Sequence, residues 1–194
     1  MARVSNKEFY SKSILKHGFT SKGMAWLSLH NQEVRFKTLL SLIDEPLSEL
    51  SLVDAGCGVA DLYFYIEKKS VLPKKYSGIE LHVESFEHAT SRCESEFFNL
   101  DITKDLLPIA DYYLCSGAMN ILNRFETYLF IRRCFEASEK GFIFNMLKGE
   151  DQSLIYNYFL PSEIREYAKE LGAKCKIVEG YLDGDFSVRF LKES

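Results

Sequence analysis

The sequence has no run of 18 apolar residues, which excludes a membrane-spanning helix of ordinary length. Its first residues show neither an apolar h-region nor a small-residue cleavage site, so no secretory signal is expected. Paired cysteine motifs are missing too. The five cysteines (Cys57, Cys93, Cys115, Cys134 and Cys175) are odd in number, scattered and free of any C-x-x-C spacing, which excludes a disulfide framework or a zinc site. Cys115 sits in an apolar run and Cys134 in a helical pattern, where a reduced thiol acts as a small hydrophobe. A reducing cytoplasm is the expected location. His30, His82 and His88 show no metal spacing with acidic neighbours, and no metal is expected. Internal repeats and low-complexity tracts are absent. Basic excess is absent as well: the net charge is −4, which argues against gripping nucleic acid over the whole surface. One segment departs from that average. Arg3, Lys7, Lys12, Lys16 and Lys22 face only Glu8, a pattern of either a solvated helix face or an attraction for an acidic substrate or RNA backbone.

What is present is the balance of a globular domain, with 46% apolar and 27% charged residues in 194. That length suits a single structural unit able to bury roughly 70% of its unfolded surface. Residues 1–48 read as an N-terminal helical cap: Phe9, Ile14, Leu15 and Phe19, then Trp26, Leu29, Phe36, Leu39, Leu40 and Ile43 recur every three to four positions, with a break at His17-Gly18 and an end at Pro46. From 49 to 194 short β-rich runs alternate with helical stretches. Strands are expected at Ser51–Asp54, Tyr76–Glu80, Phe97–Leu100, Ala110–Cys115 and Gly141–Met146. Helices are expected around 62–66, 83–92, 124–138 (with Asn123 and Glu126 as a capping pair) and from Pro161 to a stop at Leu171-Gly172. Such alternation means parallel strands with crossover helices on both faces. Lys174–Tyr181 and Phe186–Lys192 are then separated by four residues, too few for a helix, so they form an antiparallel hairpin around Asp183-Gly184. The expected fold is an α/β doubly wound, mostly parallel seven-stranded sheet ending in that hairpin.

In such a sheet a ligand sits at the carboxyl ends of the strands, at the point where strand order reverses. The first strand exits through Asp54-Ala55-Gly56-Cys57-Gly58-Val59-Ala60, where two glycines allow a sharp turn and close approach to the main chain. A dinucleotide fingerprint would need a third glycine at position 61, which is Asp61; a carboxylate there repels a pyrophosphate. Gly-x-x-x-x-Gly-Lys is missing as well. The loop thus suits an adenosine compound without phosphates and with a positive charge, and S-adenosylmethionine fits. Glu80 closes the second strand, where a carboxylate can accept both ribose hydroxyls or simply face solvent. Asp101, after the third strand, is placed either to accept an adenine amino group or to hold a turn.

Val53-Asp54-Ala55-Gly56-Cys57-Gly58 resembles motif I of the class I S-adenosylmethionine-dependent methyltransferases. Glu80-Leu81 resembles the acid of motif II, Asp101-Ile102 the adenine contact of motif III, and Asp111 to Gly117 the strand of motif IV. Ala60 departs from the family, which usually has a third glycine there. The resemblance implies cofactor binding by Asp54, Gly56, Cys57, Gly58, Glu80, Leu81, Asp101 and Ile102, with Ser116 and Gly117 near the methionine portion. The N-terminal helices resemble a cap over the cofactor; Arg35, one turn from Gln32, is a candidate clamp for its carboxylate or else a surface arginine. The acceptor pocket is expected from the cap, from the segment after strand four with Asn120, and from the loop with Tyr156, Tyr158 and Phe159, although aromatics at this spacing also suit core packing. No catalytic residue stands out; His17 is the one candidate base. An N-P-P-Y motif and a Pro-Cys pair are both missing, which favours a small-molecule acceptor over nucleic acid, in a monomer or homodimer. The competing readings are an RNA or protein methyltransferase, an NAD-dependent oxidoreductase, and a domain that keeps the fold without the chemistry.

Overall fold

The computed structural model describes residues 15, 16, 18, 28–150, 153 and 155–193. The expected cap residues Phe9, Phe19 and Trp26, the candidate base His17, and the basic residues Arg3, Lys7, Lys12 and Lys22 lie outside the described residues.

Helix α1 (Leu29–Leu40) begins where Ser28 accepts a hydrogen bond from the Asn31 amide. Strand β1 (Ser51–Ala55) follows a short 3₁₀ turn, and α2 (Asp61–Lys68), β2 (Lys75–Ile79), α3 (Val83–Arg92) and β3 (Glu96–Phe98) continue the alternation. Next come β4 (Ala110–Cys115), a 3₁₀ turn at Ala118–Ile121, α4 (Arg124–Ala137) and β5 (Ser138–Lys148). The expected capping box is present: the Asn123 side chain accepts from the Glu126 amide, and Glu126 reaches back to the Asn123 amide. Then β6 (Tyr158–Phe159), α5 (Pro161–Glu170), β7 (Lys174–Glu179) and β8 (Asp185–Leu191) complete the chain. Gly172, just past α5, takes the left-handed conformation at φ +65°, as a C′ glycine does.

Strand order is β3-β2-β1-β4-β5-β8-β7, parallel from β3 to β5 and antiparallel in the last two pairings. Order reverses between β1 and β4, the point where a doubly wound sheet opens a ligand crevice. All seven expected strands are present. The sheet gains an eighth, the two-residue β6, which pairs parallel with the end of β5 through Leu147–Tyr158 and Lys148–Phe159. The hairpin turn starts two residues earlier than expected and ends one earlier: β7 stops at Glu179, Gly180 at φ +83° turns the chain so that Tyr181 leaves the ladder, and β8 begins at Asp185.

Alternation along the strands divides the core in two. Leu52, Tyr112, Leu114 and Ile143 join Phe36, Leu39, Leu62 and Ile66 from α1 and α2 on one face. Val53, Tyr113, Phe142 and Phe144 join Phe130, Ile131, Cys134, Ile164 and Ala168 from α4 and α5 on the other. The leucine, isoleucine, valine and phenylalanine side chains among them contribute about 1.5–3 kcal/mol each when fully buried. With both faces covered, only the strand ends and their loops are left to build a site.

Candidate functional site

A cavity of about 560 Å³ opens at the carboxyl ends of β1, β2, β3 and β4, walled on one side by α1. Its floor is the loop after β1. The amides of Gly56 and Cys57 both donate to the Ile79 carbonyl, at 2.8 and 3.0 Å, which ties this loop to the end of β2. Gly56 at φ +77° and Gly58 at φ +55° turn the backbone where a side chain would be strained. At Gly56 there is no room for one either, because a Cβ would stand 2.3 Å from that of Ala118. Ala60, the departure from the family pattern, also adopts the left-handed conformation (φ 65°, ψ 30°) as N-cap of α2, a strain glycine would avoid.

Glu80 is held from behind. Its Oε2 accepts from the Gly58 amide at 2.9 Å and its Oε1 from the His82 amide at 2.7 Å, so the carboxylate braces the glycine loop while facing the cavity. Burial raises its pKa, partly offset by those two amides. Asn99 donates to the carbonyls of Glu80 and Leu81 and steadies the same corner; nothing in its local sequence marked it. Asp54 is buried at the end of β1. Its Oδ2 accepts from the Tyr76 hydroxyl at 2.7 Å. Burial pushes its pKa up to about 7; the Tyr76 hydrogen bond opposes this, and repulsion from Glu80 and Asp61 adds to it. Asp61 opens α2 and is bonded by Gln32 Nε2 at 2.9 Å and by Arg92 at 3.2 Å. Three carboxyls thus converge on one wall, and Arg92 is paired with the outermost of them.

Most expected cofactor residues line this one cavity: Asp54, Gly56, Cys57, Gly58, Glu80, Leu81, Asp101, Ile102, Ser116 and Gly117. Asp101 also holds a turn, accepting from the Thr103 amide and hydroxyl and from Lys104, and these partners keep its pKa below the usual carboxylate range against the effect of burial. Both readings of Asp101 are therefore compatible. Arg35 lines the cavity as well, yet it is no surface arginine. It is buried, and its Nε and one terminal nitrogen grip both oxygens of Asp185 at 2.8 and 2.5 Å. Those donors fasten α1 to the start of β8. Gln32, one turn away, fastens the same helix to α2 through Asp61.

The aromatic loop divides differently. Tyr156 and Asn120 line the cavity. Phe159 does not: it is fully buried, edge-on to Tyr128 at 5.5 Å with Arg124 above its ring at 4.3 Å. Tyr158 pairs with Leu147 in β6, its ring beside Gly149 rather than in the cavity wall. The alternation of β6 separates these two neighbours, and pairing with β5 carries both away from the cavity. Sequence reasoning also missed His82, whose buried ring contacts Ser85 and Glu84 at the cavity edge. It missed Asn145, which bonds Ser116 from the interior of β5. All five cysteines are free thiols. Among the described residues there is no metal-binding cluster of His, Cys, Asp and Glu, and no helix long and apolar enough to cross a membrane.

No protein-family model and no curated protein matches the sequence. Solved structures do. A magnesium protoporphyrin IX methyltransferase from Synechocystis, solved with S-adenosylhomocysteine, is similar over 94% of this chain and 100% of its own, at 14% identity and a TM-score of 0.68. A Haloferax volcanii chain from a complex with the Trm112 methyltransferase activator matches over 97% of this chain and 99% of its own, at 12% identity and a TM-score of 0.74. Human N-acetylserotonin methyltransferase, solved with S-adenosylmethionine, matches over 98% of this chain and 61% of its own, at 16% identity and a TM-score of 0.70. The fold is that of the class I S-adenosylmethionine-dependent methyltransferases.

Proposed function

We propose that the protein is an S-adenosylmethionine-dependent methyltransferase acting on a small-molecule acceptor. The observation that carries this reading is the cavity itself: bare glycine backbone on its floor, Glu80 braced at the end of β2, and Asp54 and Asp61 beside it. A pyrophosphate would meet three carboxyls there, whereas a sulfonium and an ammonium are attracted by them. The sheet edge orders the contacts. Asp101 and Ile102 after β3 would take the adenine, Glu80 after β2 the ribose hydroxyls, and the glycine loop with Ser116 and Gly117 the methionine arm. Bound there, S-adenosylmethionine would supply a methyl group on a positively charged sulfur: the acceptor's nucleophile would bond to the methyl carbon as the in-line carbon–sulfur bond breaks and neutral S-adenosylhomocysteine leaves. The protein's share is to hold the two reactants in line and keep water out, worth ~7–11 kcal/mol. A general base is needed only for an acceptor that loses a proton at or before attack.

Two of the solved structures with this fold hold S-adenosylhomocysteine or S-adenosylmethionine, and they carry the names magnesium protoporphyrin IX methyltransferase and N-acetylserotonin methyltransferase. They support the small-molecule reading. Tyr156 and Asn120 would then face the acceptor, the N-terminal residues 1–48 would form the cap, and a cytoplasmic monomer or homodimer would be the working unit. Calorimetric titration with S-adenosylmethionine, S-adenosylhomocysteine and NAD tests the reading. Heat with the first two alone is expected; heat with NAD alone would replace the methyltransferase by an oxidoreductase. Transfer of a labelled methyl group to a panel of small acceptors then separates an enzyme from a domain that only binds.

A further inference from the structure

Strand β5 carries one polar side chain deep in an apolar run. Asn145 lies between the buried Phe144 and Met146, is itself 1% exposed, and pairs across the sheet with Ser187 of β8. A buried amide costs stability unless its donor and acceptor are both used. Here they are used in a chain: Ser116 Oγ donates to Asn145 Oδ1 at 2.7 Å, Asn145 Nδ2 donates to Ser187 Oγ at a longer 3.4 Å, and Ser187 Oγ donates to the Tyr181 hydroxyl at 2.8 Å. One end of this chain, Ser116, is in the cavity wall; Asn145 and Ser187 lie behind it in the sheet.

The direction of the chain has a chemical consequence. Because the Ser116 proton is committed to Asn145, the oxygen turns lone pairs toward the cavity. It is an acceptor there, suited to an N–H donor and not to a carboxylate. Its place along the sheet edge says which part of a ligand it meets. Glu80 follows β2 and Ser116 follows β4, with β1 between them, so the two contacts are two strand spacings apart, about 10 Å. An adenosine with its ribose on Glu80 and its base toward β3 does not span that distance; an amino-acid arm beyond the sulfur does.

We propose that Asn145 is a positioning residue: by taking the Ser116 proton it makes the cavity select ligands that carry an ammonium-bearing arm. This rests on the adenosyl-ligand reading above. The test is titration of the full chain and two variants with S-adenosylhomocysteine and with 5′-methylthioadenosine, which has the same nucleoside and sulfur but no arm. Asn145→Leu is expected to weaken S-adenosylhomocysteine at least tenfold and leave 5′-methylthioadenosine within twofold. Ser116→Ala, which removes the cavity-facing oxygen and leaves the Asn145–Ser187 bond in place, is expected to show the same selective loss and decides the matter should Asn145→Leu fail to fold. Equal losses for both ligands, or no loss for either, would overturn the proposal, since a purely structural role cannot distinguish them. A parent protein that binds neither ligand would instead remove the adenosyl-ligand reading itself.

Discussion

Asp54 is the residue at which binding and stability are expected to conflict. Its carboxyl is buried at the end of β1, with Glu80 and Asp61 adding repulsion, and its pKa stands at about 7 instead of the usual 3.8. The native state therefore keeps a proton that the unfolded chain has lost, and between pH 3.8 and about 7 the protein loses stability as pH rises. Above that window the whole penalty is present, about 4 kcal/mol. Asp54→Asn removes the titration and keeps an oxygen to accept from Tyr76. At pH 8 the ligand-free variant is expected to be more stable than the parent by up to about 4 kcal/mol, a rise in melting temperature of roughly 10 °C for a chain of this size. At pH 4 the two should melt together. The same substitution removes a negative charge from the cavity wall, so S-adenosylmethionine should bind the variant at least tenfold more weakly at pH 8. Melting curves at both pH values and one titration complete the assay. A variant less stable than the parent at pH 8, or a stability difference that does not change with pH, would refute the reasoning.

Ligand binding to the parent should itself depend on pH, because a cationic ligand favours the ionised Asp54: affinity for S-adenosylmethionine is expected to rise from pH 6 toward 8 and to be flat in Asp54→Asn, as read by titration at each pH. Glu80→Gln places an amide nitrogen against one of two backbone N–H groups, Gly58 or His82, so affinity should fall tenfold to a hundredfold while melting temperature also drops. Loss of binding with unchanged stability would show that the brace on the glycine loop is unimportant. In Gly56→Ala the new Cβ meets Ala118 at 2.3 Å on a backbone at φ +77°, and titration should detect no adenosyl ligand binding. Arg35→Ala leaves the buried Asp185 without its partner and should cost about 3–5 kcal/mol in urea unfolding. A weakened ligand affinity with unaltered unfolding would return Arg35 to the role of a carboxylate clamp.

The contrast among these residues shows what can be read without a fold. Asp54, Gly56, Gly58 and Glu80 were legible because the turn after β1 and the acid ending β2 are local patterns, and parallel pairing sets their ends side by side. The strands themselves follow from runs with period two bounded by turn residues, and the hairpin from a connection too short for a helix. Ala60 was visible as an unusual residue, though only its φ of 65° shows that the chain tolerates strain there. Phe159 illustrates the opposite case. Two aromatics in a loop look alike in sequence, and only the pairing of β6 with β5 decides that one enters the core.

By itself, then, the sequence determined the alternation of strands and helices, the place of the crevice and the chemistry of its floor, all of which depend on neighbours a few positions apart. Tertiary structure decided who bonds to whom: Arg35 to Asp185 across 150 positions, Ser116 to Asn145 across 29, Tyr76 to Asp54 across 22. Those partnerships depend on strand order and register, which bring distant residues within 3 Å without leaving any periodic trace in the chain.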